Sequence, residues 1–410
     1  MHCGSRRRMT ICLKTQHFNL NRILLLLVGL WPYEQSKLVH LQLILFFGIL
    51  SSSVIFQLTV FLTAQFTIDL VVQVLSVVSL NVTFMITYNA FWANTHTVRL
   101  LGEQLQHMCN ELRDGNEIAI IQKYGNDAKR ITIIFIFLLV CYVISFNMLS
   151  FMPYFLSAIL HINESNHPMQ LFLTEYFVDE EKYFYLILLH TNVAFSIGGT
   201  AFAATGLMLL SYVEHSCGMF QIASYRLEKA LGNVLENISA EKEMMQYRQI
   251  VYAITIHRDA MEFSTLFISN FGNSFFGVAV VGVLCMSLNF FGISRTLLHK
   301  EHFMQLAKHF IIAFSIVMYI FLSNYFGQQV TDHDNHVYLT AYNVYWYKAP
   351  IRIQKLILFL IERSTKSFNL RVVGVLVASI ERFASVKINM CCVLINHYQC
   401  TPDDMPDTLH

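Results

Sequence analysis

Charge is what this chain of 410 residues has least of. Only 13% of it is Asp, Glu, Lys or Arg, whereas soluble domains run nearer about a quarter, so an ordinary water-soluble globule is excluded. Catalytic signatures are missing too. There is no glycine-rich phosphate loop, no Gly-x-Ser-x-Gly and no His-Glu-x-x-His, which removes the familiar routes to nucleotide, acyl-transfer and zinc-hydrolase chemistry. The expectation is a non-enzyme with no cofactor and no nucleic-acid partner. Paired carboxylates are nearly absent from the apolar segments and the two halves show no repeat, which argues against a proton-coupled transporter. The cysteines are scattered, and Cys109, Cys141, Cys217 and Cys285 all stand outside the loops assigned below to the exterior. No external disulfide is expected.

What the sequence has instead is apolar length. A hydrocarbon core of about 30 Å needs about 20 helical residues, and seven stretches supply them: Leu38–Leu62, Ile68–Ala93, Ile131–Ala158, Phe184–Tyr212, Phe271–Ile293, Phe303–Phe326 and Arg371–Asn396. The expected fold class is an all-α membrane protein with seven transmembrane helices. With the N-terminus inside, the inner segments hold 21 Lys and Arg and the outer ones hold three, Lys182, Arg295 and Lys300. That bias predicts a cytoplasmic N-terminus and an extracellular C-terminus. The outer loop Ile159–Tyr183 is acidic and carries a sequon, Asn163-Glu164-Ser165, on the side where it is usable. Asn81, inside an expected span, and Asn237, in an inner loop, begin matching triplets that are unusable there.

Four features subdivide the chain. Residues 1–37 form a cytoplasmic segment in which Arg6-Arg7-Arg8 and the apolar run Ile23–Val28 imitate a signal peptide. No small-residue cleavage site follows; Gly29-Leu30-Trp31-Pro32 does, predicting a short interfacial helix stopped by proline. Residues 38–326 are the six-helix bundle. Its inner loops carry helical-period apolar positions, Val98, Leu101, Leu105, Met108 and Leu112 in one and Phe220, Leu227, Leu231, Val234 and Ile238 in the other. These predict extensions of the helices into a packed cytosolic layer, with helices lying on the membrane as the alternative. Residues 327–369 add the amphipathic run Tyr338–Ile361 to that layer as an anchor helix. The polar cluster Asp332-His333-Asp334-Asn335-His336 before it has divalent-metal ligand types, but no further His/Cys pair lies nearby. A solvated turn capping the next helix is expected there, with no metal.

Residues 370–400 form the seventh helix and 401–410 an extracellular tail. Arg382, Ser385, Asn389, Cys392, Asn396 and Gln399 recur at alternating spacings of three and four, so they share one polar stripe. A polar stripe in a membrane turns toward protein or water, and one helix cannot enclose a pore, so a symmetric ring of such helices is expected. Aromatics in the outer halves of the middle helices are candidates for an apolar ligand cavity: Phe146, Phe151, Tyr154, Tyr185, Phe195, Phe310 and Phe314, with His190 as a polar contact.

Gly29-Leu30-Trp31-Pro32, seven spans with an inside N-terminus, Tyr342-x-x-x-Trp346-Tyr347, Phe383-Ala384-Ser385-Val386 and Gln399 together resemble the insect odorant receptors. The resemblance covers essentially the whole chain. It implies an odorant-gated, non-selective cation channel at the plasma membrane of a sensory dendrite, assembled as a tetramer with a shared co-receptor and opened by a small volatile ligand. It also implies an intracellular anchor where subunits meet and an outer constriction, for which Asn396, Gln399 and Cys400 are the local candidates. The second inner loop is short for the co-receptor, so a tuning subunit is expected. Gustatory receptors share this architecture. A G-protein-coupled receptor is opposed by the reversed charge bias and the lack of Asn-Pro-x-x-Tyr.

Overall fold

The computed structural model describes residues 18–34, 36–160, 172–232, 240–298, 303–364, 371–372 and 376–377. Ten α-helices occur among them: α1 (Asn19–Leu27), α2 (Lys37–Leu58), α3 (Val60–Thr63), α4 (Ile68–Ala93), α5 (Thr95–Glu111), α6 (Gly115–Leu160), α7 (Glu180–Leu231), α8 (Ala240–Leu298), α9 (Phe303–Asn343) and α10 (Ile351–Ser364). Six segments are long and apolar enough to cross a membrane, with α2 and α3 forming one of them. Four far exceed that need. α8, at 59 residues, is roughly 90 Å long at 1.5 Å per residue, about three times the thickness of the hydrocarbon. The expected extensions are therefore continuous with the spans, and they project from one end of the bundle, the extended end. The opposite, loop end carries α3 and the segment 172–178.

The helix boundaries follow from local chemistry. Ser36 and Thr67 cap α2 and α4 by accepting from Val39 N and Leu70 N. α1 stops where Gly29 takes φ 72°. Gly29 N then donates to Leu26 O at 3.1 Å and Leu30 N to Leu25 O at 2.8 Å, the paired closure of a Schellman turn. Only glycine takes that φ cheaply, so the glycine ends the helix and Pro32 merely prevents its resumption. α1 is also more than an interfacial helix. Its Asn21 is fully buried, donating to Ser211 Oγ at 2.7 Å and accepting from Thr132 Oγ1 at 3.3 Å.

The largest core lies at the extended end. Val98, Leu101, Leu105 and Leu112 of the first amphipathic stretch are buried there with Phe220, Leu227 and Leu231 of the second. They pack with Ile250 and Ala253 of α8, Val330 and Val337 of α9, and Ile353 and Ile357 of α10. The amphipathic faces thus meet one another. The anchor run is divided: α9 continues to Asn343, a 3-10 turn spans Trp346–Lys348, and α10 begins at Ile351 after Pro350. A smaller core at the loop end joins Val77, Leu80, Phe84, Phe146, Phe172, Phe195, Cys285, Met286, Ile312 and Ile316.

The start of the expected seventh helix departs from expectation. Arg371–Val372 pairs antiparallel with Leu376–Val377. β-branched valines suit extended backbone better than helix. Arg382, Ser385, Asn389, Cys392, Asn396, Gln399 and Cys400 lie outside the described residues, as does Asn163.

Candidate functional site

At the loop end, α7 carries two adjacent glycines that let neighbouring helices approach its backbone. A Cβ on Gly198 would collide with the root of the Phe84 ring from α4, and one on Gly199 would stand 2.8 Å from the Tyr142 ring of α6. Small residues serve this purpose in membrane helices. Beside them three rings interlock. Phe146 of α6 lies 4.2 Å from Phe195 of α7 and 4.7 Å from Phe172, and Phe172 lies 5.1 Å from Phe195. Such pairs contribute about 0.5–1.5 kcal/mol each beyond area burial. Tyr142 joins at 5.7 Å from Phe146, and its hydroxyl has no hydrogen-bond partner among the described residues. The Thr174 hydroxyl and the side-chain oxygens of Asn81 and Asn192 are likewise buried without partners there. Buried polar atoms are normally satisfied, so this region holds spare hydrogen-bonding capacity among its rings.

Phe172 comes from a strap, residues 172–178, that closes the loop end against α2 and α3. Glu175 N donates to Phe56 O at 2.8 Å, Thr59 Oγ1 donates to Glu175 O at 2.7 Å and Thr63 Oγ1 to Glu175 Oε2 at 3.0 Å. The next residue but one, Phe177, sits at φ 54°, and its N–H donates to Glu175 Oε1 at 2.8 Å. Tyr176 stacks on Phe56 at 4.1 Å. His190 of α7 is 2.7 Å from Tyr176 Oη through Nδ1 and 2.9 Å from Ser52 Oγ through Nε2. Ser52 Oγ already donates to Ile49 O at 3.0 Å, so it accepts from His190 Nε2–H, and Tyr176 donates to His190 Nδ1. The imidazole is a neutral relay with one fixed tautomer. Phe56, Tyr176, Tyr183, Ile187 and His190 line a pocket of about 410 Å³, within the usual range for small ligands. The site is mostly apolar, with a few oriented polar groups, and it offers no nucleophile paired with a base.

The candidate ligand residues divide accordingly. Phe146 and Phe195 are buried together, and His190 lines the adjoining pocket. Tyr185, Phe310 and Phe314 point out of the bundle, 78%, 53% and 62% exposed, and Phe151 is also exposed. Phe310 and Phe314 occupy the face of α9 opposite buried Ile312, Ala313 and Ile316; aromatic character alone does not reveal which face turns inward. Tyr154 lies on α6, and its side chain is outside the described residues. Phe84, Tyr142, Phe172 and Tyr176 were not among the candidates. The Gly198-Gly199 pair was the signal for the first two, whereas Phe172 and Tyr176 sit in a loop whose acidic charge obscured its rings.

The Asp332–His336 cluster corrects the expected capping turn. It lies inside α9, and its side chains tie that helix to three others. His333 Nε2 meets Tyr124 Oη of α6 at 2.7 Å, Asp334 Oδ1 meets His257 Nε2 of α8 at 2.8 Å, and His336 Nδ1 meets Ser224 Oγ of α7 at 3.1 Å. Arg226 of α7 grips Glu117 of α6 at 2.7 and 2.9 Å. Outside the spans, the Lys229 ammonium at 2.6 Å and the Asn116 N–H hold the Asp114 carboxyl below its ordinary value. No group of three or more metal-ligand side chains occurs among the described residues.

The sequence model of the 7tm Odorant receptor family matches residues 67–390. No curated protein matches the chain. Among solved structures, the insect olfactory receptor OR5 from Machilis hrabei aligns with a TM-score of 0.73 at 15% identity, over 96% of this chain and 100% of that one. The same receptor in complex with eugenol aligns with a TM-score of 0.73 at 16% identity, over 96% and 100%.

Proposed function

The chain belongs to the odorant receptor family, and on that premise we propose that it is the ligand-tuning subunit of an odorant-gated, non-selective cation channel at the plasma membrane. It assembles with the family's shared co-receptor as a tetramer, and it is a receptor with no enzymatic step. The extended end is cytosolic and the strap is outside, a reading supported by the concentration of Lys and Arg at the extended end. The ligand is a small, mostly apolar volatile. The observation that carries this reading is the Phe146–Phe172–Phe195 cluster with unpartnered polar atoms, closed by the strap and adjoined by the pocket of about 410 Å³. Apolar contact at about 25 cal/mol per Å² buried supplies most of the affinity, and the spare polar atoms orient the ligand. Gating follows if the ligand binds the open arrangement more tightly than the closed one.

Whole-cell current from cells expressing this chain, with and without the co-receptor, against a volatile panel under G-protein blockade tests the proposal. Rapid cation current only with both subunits is expected. Current from this chain alone makes it a self-sufficient channel, and responses abolished by the blockade return it to a metabotropic class.

A further inference from the structure

A second cavity lies away from the ligand site, where the Gly29–Pro32 turn meets the first turns of α2 and the end of α4. It measures about 390 Å³ and is lined by Trp31, Glu34, Val39, His40, Leu43, Trp92 and Thr95 among others. Lys37 begins one membrane-length segment and Ala93 ends the next on the same side, so the cavity sits at a membrane–water boundary, where tryptophan concentrates. Its shape is set by the left-handed Gly29 and by Gln42, whose Nε2 donates to Leu27 O at 2.8 Å.

The polar lining holds several acceptors beside the indole N–H donors of Trp31 and Trp92. Among the described residues the Glu34 carboxylate enters no ion pair or side-chain hydrogen bond, and it is exposed to the cavity. His40 Nδ1 lies 3.0 Å from Ser36 O. A carbonyl only accepts, so Nδ1 carries a proton, and the neutral ring presents a lone pair at Nε2. Thr95 donates its hydroxyl hydrogen to Trp92 O at 2.7 Å, leaving its oxygen to accept. Trp31 and Trp92 add two indole rings to the lining, and such rings attract cations. Below them Val39 and Leu43, one turn apart, continue an apolar track along α2.

We propose that this cavity binds a primary ammonium group, supplied by an aminophospholipid whose headgroup sits between Trp31, Trp92 and Glu34 while an acyl chain follows Val39 and Leu43. A primary ammonium brings three N–H donors to the Glu34 carboxylate and the neighbouring acceptors. A trimethylammonium keeps the contact with the rings but brings no hydrogen to the Glu34 carboxylate, so the Glu34 contact is what separates phosphatidylethanolamine from phosphatidylcholine. The site is independent of the ligand site and of the channel reading.

The test uses the full-length chain in nanodiscs holding equal phosphatidylethanolamine and phosphatidylcholine, followed by mild delipidation and native mass spectrometry. Preferential retention of phosphatidylethanolamine is expected, with the preference falling roughly tenfold in Glu34→Gln, the loss of one cation–carboxylate contact. Glu34 is exposed, so this variant keeps the wild-type melting temperature, and Trp92→Phe, which keeps a ring, retains most of the preference. Free ethanolamine distinguishes the sources. Displacement of the lipid by roughly millimolar ethanolamine supports the ammonium site and assigns it to soluble amines, whereas retention of the lipid assigns it to the headgroup. Equal retention of both lipids, or an unchanged ratio in Glu34→Gln, overturns the proposal.

Discussion

The two ends of the bundle solve the burial of polar groups in opposite ways. At the extended end, polar side chains from different helices find each other: His257 with Asp334, Tyr124 with His333, Ser216 with Ser264 at 2.6 Å, and Tyr212 Oη with Val98 O at 2.8 Å. At the loop end the strap and His190 are hydrogen-bonded, but the core beneath them is ring on ring, and Tyr142, Thr174, Asn81, Asn192 and Gln305 each bury a polar atom with no partner among the described residues. A satisfied polar network specifies one packing, because every alternative orphans a group in low dielectric. A ring cluster with unsatisfied atoms has no such penalty to enforce uniqueness, and an entering molecule lowers its energy. The difference teaches that one end fixes its form through paired polar groups, while the other keeps spare polar atoms among its rings, as the proposed ligand site requires.

Asp334→Ala breaks this comparison most severely. It strands His257 in a site where both side chains are almost fully buried, and removing one partner of such a pair costs about 3–5 kcal/mol. Much less folded receptor is expected in fluorescence-detected size exclusion, with an unchanged half-maximal ligand concentration in whatever reaches the surface. Gly198→Ala forces a methyl against the root of the Phe84 ring. Overpacking of this kind costs about 1–3 kcal/mol, so a lowered melting temperature is expected together with an altered ranking of ligands in current recordings. A normal ranking would detach Phe84 from the site. Tyr176→Phe removes only the hydroxyl that donates to His190, worth about 0.5–1.5 kcal/mol. The expected result is a shift of several-fold in half-maximal concentration with normal expression, since the strap keeps its Glu175 hydrogen bonds.

The smallest effect belongs to Lys229→Ala. Asp114 has its folded pKa lowered from 3.8 by the Lys229 hydrogen bond. A depressed carboxylate contributes stability that is present above its unfolded value and lost as pH falls through the folded one. The variant should match wild type less closely at pH 7 than under strong acid, where the contact is already gone, and acid-unfolding curves check this. The difference at pH 7 is small because the pair is solvent-screened.

Legibility in the sequence follows the same division. The amphipathic positions of α5 and α7 were readable because Val98, Leu101, Leu105, Phe220 and Leu227 repeat at helical spacing and are buried together. In the candidate site, the aromatic rule applied to outer half-spans picks Phe146 and Phe195, which are buried, and it also picks Tyr185, Phe310 and Phe314, which face outward. Phe172 and Tyr176 escaped because a loop has no period from which an inward face can be inferred. The cluster at Asp332–His336 was visible as chemistry and misplaced as a turn, since polarity inside a long helix looks like an interruption until its partners are known.

By itself the sequence determined the membrane-length segments, the helix stop at Gly29 and the burial of the amphipathic faces. These rest on hydrocarbon thickness, backbone sterics and helical period, all of which act within a few turns of chain. Only the tertiary structure decided that His333, Asp334 and His336 reach three different helices, that Phe84 lies on Gly198, and that a loop segment caps the aromatic cluster. Those pairings depend on the rotation of each helix about its own axis. That rotation is fixed by packing against neighbours 77 to 209 residues away, which local spacing does not encode.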